Sequence, residues 1–235
     1  FLRDPTSADP GRGMKNSPPS EPADFTAGFD VTLPSTTPLA ELQGPAGFRK
    51  ALEEGFAVAL TFGQGEGTGT SKQENEFFPY EMTMASAGGE GSASFDKDKL
   101  TIVTQSGSVE LNATSTAFPA PMEMTMAEAA MDMKVPVIAT EPQDVSVKMK
   151  LGQLALSEGV WGMFDPGAAL KRDPLDLNID VSGRTTLDLL AMAEAGETGA
   201  QPPVPAPEKL DITDITLKVA GAALNATGAF TFDNS

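Results

Sequence analysis

Apolar and polar residues alternate in short runs along most of the chain, starting with Phe29-Asp30-Val31-Thr32-Leu33 and Phe56-Ala57-Val58-Ala59-Leu60-Thr61-Phe62. A period of two marks antiparallel strands with one dry and one wet face. The same pattern predicts strands over 80–85, 91–96, 99–105, 108–114, 121–127, 144–151, 175–182, 185–190, 210–219 and 222–232. Between the first two runs, Pro45–Glu54 predicts a short helix. A second helix is expected after Ser157, an N-cap residue, with Pro166 as its stop. Residues 1–27 carry Pro5, Pro10, Pro18, Pro19 and Pro22 and read as a Pro-rich tail or loop. Residues 28–235 read as a single β-rich domain, in which 193–208, with Pro202, Pro203, Pro205 and Pro207, is a flexible loop. The expected fold is mainly β, a long curved antiparallel sheet or partly open barrel of repeated hairpins, with two or three short helices.

Two short repeats support a duplicated β unit. Pro79-Tyr80-Glu81-Met82-Thr83-Met84-Ala85 recurs as Pro121-Met122-Glu123-Met124-Thr125-Met126-Ala127, and Leu111-Asn112-Ala113-Thr114 recurs as Leu224-Asn225-Ala226-Thr227.

Charge and composition narrow the chemistry. Sixteen Lys plus Arg against 33 Asp plus Glu give a formal net charge of −17, which repels nucleic-acid backbones. No run of 18 apolar residues spans a bilayer, and the N-terminus shows no signal-peptide pattern. Cysteine and histidine are absent, which removes the thiolate nucleophile, the commonest general base and the commonest transition-metal ligand. A non-enzymatic protein without cofactors is expected.

Methionine is the most concentrated candidate. Met122, Met124, Met126, Met131 and Met133 crowd together, and Met82 and Met84 repeat the spacing on an earlier strand. At a period of two, Met122, Met124 and Met126 share one face. Three readings stay open: core packing, a pliable apolar groove for acyl chains, or a soft copper(I) site. Same-face neighbours on one strand sit about 7 Å apart, so a metal would need convergence from elsewhere. Trp161 and Phe164 form an aromatic pair that either plugs one end of the sheet or acts as a lid over a groove. The expected ligand-lining set is therefore Met82, Met84, Met122, Met124, Met126, Met131, Met133, Trp161 and Phe164.

Other patterns are weaker. Asp165, Asp173, Asp176 and Asp180 lack a calcium-loop spacing, and Asp176 and Asp180 read as a wet strand face. Gly63–Gly69 alternates glycine without the Gly-Lys-Ser/Thr ending of a phosphate loop and reads as a flexible hairpin loop. Ser94-x-x-Lys97 matches a serine-lysine pattern but lacks its companion motifs.

The segment Ser157-Glu158-Gly159-Val160-Trp161-Gly162-Met163-Phe164-Asp165-Pro166 is the least generic. With Ala169-Leu170, Asp173-Pro174 and the run Leu175–Gly183, it resembles a bacterial family catalogued as domain of unknown function 2125. The end of the chain, Leu210–Gly221 followed by Gly228-Ala229-Phe230-Thr231-Phe232-Asp233-Asn234, is similar to the same family. The resemblance implies a periplasmic, AsmA-like, β-rich envelope protein involved in lipid traffic, with no catalytic residues to carry over. Family members begin with a signal peptide and continue past the Phe-Asp-Asn element, so the resemblance also implies a fragment of a longer protein. The expected role is binding or carrying a lipid or another apolar molecule. The alternative is an accessory subunit docking on an envelope protein partner, and copper(I) handling is a third option.

Overall fold

The computed structural model describes residues 24–38, 40, 44–74, 79–118 and 120–233. In chain order it contains β1 (Phe25–Thr32), α1 (Gly44–Glu53), β2 (Ala57–Gln64), β3 (Gly67–Gln73), β4 (Tyr80–Ser86), β5 (Gly89–Phe95), β6 (Lys99–Ser106) and β7 (Val109–Ser115). There follow β8 (Met122–Met126), β9 (Glu128–Pro136), β10 (Gln143–Leu156), α2 (Glu158–Trp161), β11 (Leu175–Thr186), α3 (Leu189–Thr198), β12 (Ala206–Val219) and β13 (Ala222–Thr231). The 13 strands form one large antiparallel sheet that does not close into a barrel.

The sheet has two arms. The first runs β1-β2-β5-β6-β9-β10-β11-β12-β13, and the second runs β3-β4-β7-β8 and returns to the end of β10. Each of the pairs β2/β3, β4/β5, β6/β7 and β8/β9 is one long strand interrupted along a common seam. The register does not slip there. Gln64 pairs with Gly89 on one side and Gly67 with Ser86 on the other, and Ser106–Gly89 is continued by Val109–Ser86. Backbone bonds bridge the seam, from Ala87 N–H to Ser108 O (2.8 Å), Gly107 N–H to Gly88 O (2.9 Å) and Ala127 N–H to Gly152 O (2.9 Å).

Small residues make the seam feasible. Gly88 has φ +87°, and a Cβ there would collide with the backbone of Gln64 and Gly65. On β10, Gln153 takes φ 53° at a bulge against β11, where its backbone and side-chain N–H groups both donate to the Asp176 carboxylate. Apolar positions change parity at the seam. Leu60 and Phe62 are even-numbered before it on β2/β3, while Val109 and Leu111 follow Ile102 on β6/β7. A strict pleat could not carry one face through such a change. On β4/β5 and on β10 the left-handed Gly88 and Gln153 interrupt the extended backbone.

In the first arm, pairing aligns the apolar residues into rows. One row is Phe29, Leu60, Ala93, Ile102, Met133, Val147, Val181 and Ile212; the next is Ala27, Phe62, Gly91, Thr104, Met131, Met149, Ile179 and Ile215. The opposite face is polar and carries exposed ion pairs such as Lys148–Asp180 (3.0 Å) and Lys150–Glu128 (2.6 Å). Such surface pairs contribute little individually.

Among the described residues, α1 and α3 cover one corner of the sheet. Leu52 of α1, Val137 after β9 and Leu190 of α3 form a buried cluster joined by Phe48, Phe56, Phe95 and Leu100. Phe48 stacks on Phe95 with centroids 5.7 Å apart. Arg49 of α1 bonds both carboxylate oxygens of Asp188 at 3.0 Å, and Asp188 also accepts from Ala191 N–H to cap α3. Glu54 ties down the preceding segment by accepting from Thr36 N–H, Thr36 Oγ1 and Thr37 N–H. Elsewhere Phe25, Phe29, Phe62, Met149, Leu224 and Phe230 stay exposed.

Several expectations are corrected. The 185–190 strand ends at Thr186, because Asp188 caps a helix that the Ala-rich run Leu189–Ala195 favours. The 193–208 loop shrinks to 199–205: α3 ends at Gly199 (φ 69°), and Pro207 lies in β12 at an irregularity opposite Thr185. Phe25–Ala27 belong to β1 rather than to a tail, since β2 supplies their partners; residues 1–23 lie outside the described residues. The Gly63–Gly69 stretch is no hairpin loop but the crossing from β2 to β3. β9, which the 121–127 strand runs into, was not foreseen. The first repeat falls on β4 and β8, which flank β7 symmetrically, while the second falls on interior β7 and on β13, which pairs only with β12 among the described residues.

Leu52→Ala should lower unfolding stability by about 3 kcal/mol in a denaturant titration, as expected for a fully buried leucine. The three hydrogen bonds from Thr36 and Thr37, led by the Thr36 hydroxyl, lower the Glu54 carboxyl to about 2. A depressed carboxyl stabilises above its unfolded value, near 4.5, and that contribution fades as pH falls towards 2. Amide exchange at Thr36 and Thr37, corrected for intrinsic rates, should accelerate in that window, and Glu54→Gln should show faster exchange already at neutral pH.

Candidate functional site

The methionine strands assemble as a face. Register pairing places Met82 opposite Ala113 and Ala113 opposite Met122, and places Met84, Leu111 and Met124 in the next row. Met82, Met122, Met124 and Met126 are partly buried, and Met84 is exposed. β7 separates the two groups, so the β4 and β8 backbones lie about 10 Å apart. Met131 and Met133 lie across the seam on the first arm. The seven methionines therefore occupy two regions, not one point.

Trp161 sits in a tightly bonded structural unit. Ser157 takes the N-cap position of α2, but its hydroxyl makes no cap. It donates instead to Pro121 O (3.1 Å) and accepts from Glu123 N–H (2.9 Å), which fixes α2 to β8. Gly159 allows this closeness, since a Cβ would collide with Pro121 O. The Arg172 guanidinium lies 4.7 Å from the Trp161 ring and bonds Asp165 (2.6 Å), Glu158 (2.9 Å) and Leu170 O (2.9 Å). Asp165 accepts further from the Ala169 and Leu170 N–H groups. Trp161 is buried, whereas Phe164, 4.8 Å away between centroids, is exposed. The Arg172 contacts were not foreseen, although a cation following a lone Trp and two acids within one short segment was the available signal.

An apolar cleft lies elsewhere, on the first arm beside the seam. It has a volume of about 470 Å³. Two neighbouring rows build it: Phe62, Thr104, Met131 and Met149 in one, and Phe25, Gln64, Gly89, Ser106, Ala129, Leu151 and Leu177 in the other. Gly89, Ser106 and Ala129 keep the middle shallow. Phe25 and Phe62 mark the β1–β2 end, and Met131, Met149, Leu151 and Leu177 rise at the other. Of the nine residues expected to line a ligand, only Met131 does so here. The sequence reading followed methionine density; the cleft instead follows a gap of small residues across β5, β6 and β9, visible only once those strands are in register.

Three of the four acidic candidates are engaged individually: Asp165 with Arg172, Asp176 with Gln153, Asp180 with Lys148. Among the described residues no group of three acids is placed to hold a metal. Ser94 lies within β5, and the Lys97 ammonium pairs with Asp98 at 2.8 Å. Among the described residues no helix is long and apolar enough to cross a membrane.

Fold and cleft together define an open antiparallel sheet protein whose apolar face is uncovered among the described residues. No family model, curated protein or solved structure matches the chain.

The hydrogen bond from Arg172 and the N–H groups of Leu170 and Ala169 hold the Asp165 carboxyl below its ordinary value. The associated stability is present above the usual carboxylate range and is lost as pH falls below it. Arg172→Ala should red-shift Trp161 fluorescence at neutral pH, and acid should produce the same shift in the unmodified protein before global unfolding.

Proposed function

We propose that this protein is a non-enzymatic envelope protein of the periplasm that binds or carries a lipid or another apolar molecule. The carrying observation is the apolar cleft of about 470 Å³ on a sheet face that no second layer covers among the described residues. Such a volume lies within the range of small-molecule sites, and its walls are mostly apolar. The likeness of the Trp161 segment and the terminal strands to the domain of unknown function 2125 family is a second support, and it alone suggests the periplasm and the kinship with AsmA-like proteins. Absence of cysteine and histidine fits a binding protein better than a catalyst.

A second reading, an accessory subunit docking on a larger envelope assembly, is favoured by β13. From Ala222 to Thr231 that strand has no charge and no proline, the devices that usually guard a sheet edge. A partner strand could add there.

Organic extraction of natively purified protein, followed by mass spectrometry, separates the two. The proposal expects stoichiometric lipid from the unmodified protein. It expects a loss of about tenfold or more from Met149→Asp, which puts a charge in the cleft on an exposed position. Lipid-free protein that co-purifies with a second polypeptide would favour docking instead.

A further inference from the structure

Phe62 and Gly91 are register partners on β2 and β5, and the Phe62 ring lies down over Gly91. A Cβ at position 91 would collide with the ring tip, so only glycine leaves room for this pose. Beyond Phe62 the same row continues to Ala27 on β1, another small residue. The floor along Ala27, Gly91 and Thr104 is therefore low on both sides of the ring, and Phe62 is what interrupts it. The ring stays partly exposed, at 37 %, although it is pressed onto the sheet.

We propose that Phe62, seated on Gly91, is the stop that sets how long an apolar chain the cleft accepts. The ligand class is a single linear hydrocarbon chain lying across the strands. Two adjacent rows of one sheet face are separated by about 7 Å along the strands, room for one extended chain but not for a fused-ring system. The inference rests on the proposed binding of an apolar molecule and adds its shape and limit.

The chain enters from the Met149–Leu177 end, where the walls are flexible thioethers and leucines, and its tip meets the Phe62 ring. Each buried methylene contributes until the ring is reached, and further methylenes stay in water. The affinity for a homologous series should thus rise by about fourfold per methylene and then level off.

Displacement of a fluorescent fatty acid, cis-parinaric acid, by saturated fatty acids of increasing length measures that plateau. A parallel series of lysophosphatidylcholines distinguishes free acids from lipid-borne chains. The unmodified protein should level off at a defined length. Phe62→Ala should move the plateau to longer chains, with about fourfold tighter binding for each methylene gained. Phe62→Leu should move it less. Adding Gly91→Leu to Phe62→Ala refills the space from the neighbouring strand and should return the plateau to its original length. If the unmodified protein binds neither series, the apolar-ligand reading fails and the stop falls with it. If it binds with a plateau that Phe62→Ala leaves unmoved, the stop alone is overturned.

Discussion

Four long strands must keep one register while each is interrupted at the same place. That requirement governs the rest of the structure. Pairing set on one side of the seam fixes pairing on the other, as Gln64–Gly89 and Gly67–Ser86 show. A slip of one residue on any strand would turn its apolar positions to the wet side. The seam must also let adjacent backbones approach closely without side chains between them. Gly88 sits against the Gln64 carbonyl, a side chain at Gly89 would collide with Gln105 O, and Gly152 packs against Glu128. Glycines in a strand ordinarily weaken it. Along the seam the backbone bonds from Ala87, Gly107 and Ala127 carry the ladder across.

The seam and the covered corner divide the energetics. Around Leu52, Val137 and Leu190 the protein has an ordinary buried cluster, closed by the bidentate Arg49–Asp188 pair joining two helices far apart in sequence. The remaining apolar face is stabilised by cross-strand neighbours such as Met133 beside Val147 and Val181, half-buried in each other. Exposed Phe25, Phe29, Leu224 and Phe230 contribute little to that packing. Among the described residues these side chains remain uncovered, and large apolar patches are uncommon on monomeric soluble proteins. The opposite face, studded with pairs such as Lys148–Asp180, has no comparable need of a cover.

The sheet was legible in the sequence because period-two alternation is local. Phe56–Phe62, 99–105 and 210–219 can be read residue by residue without knowing their partners. β9 was less legible because Ala129, Ala130 and Asp132 blur the contrast between faces. α3 was missed although the Asp188 cap and the Ala-rich run Leu189–Ala195 are local signals; only the Arg49 bond that holds Asp188 comes from far away in the chain. Residues 63–69 misled for a different reason: alternating glycines suit a loop, and only the neighbouring strands reveal that they are needed to pass the seam. The Trp161 segment was legible as a short helix but not as a clamp. Neither Ser157 bonding to Pro121 nor Arg172 over the indole follows from local spacing.

The position of the cleft follows from the same constraint as the fold. Near the seam the sheet needs small residues, so Gly89, Ser106 and Ala129 leave the apolar face without height on three successive strands. Farther along β9 and β10 the constraint relaxes, and Met131, Met149 and Leu151 restore the height. On the β2 side Phe62 would stand clear of the sheet were Gly91 not glycine, and the missing side chain lets it lie flat instead. The trough is thus the shadow of the seam, bounded where side chains regain their size. Methionine-rich β4 and β8 lie across the seam from it and need no such low floor, which is why the densest methionine signal and the cleft fall in different arms.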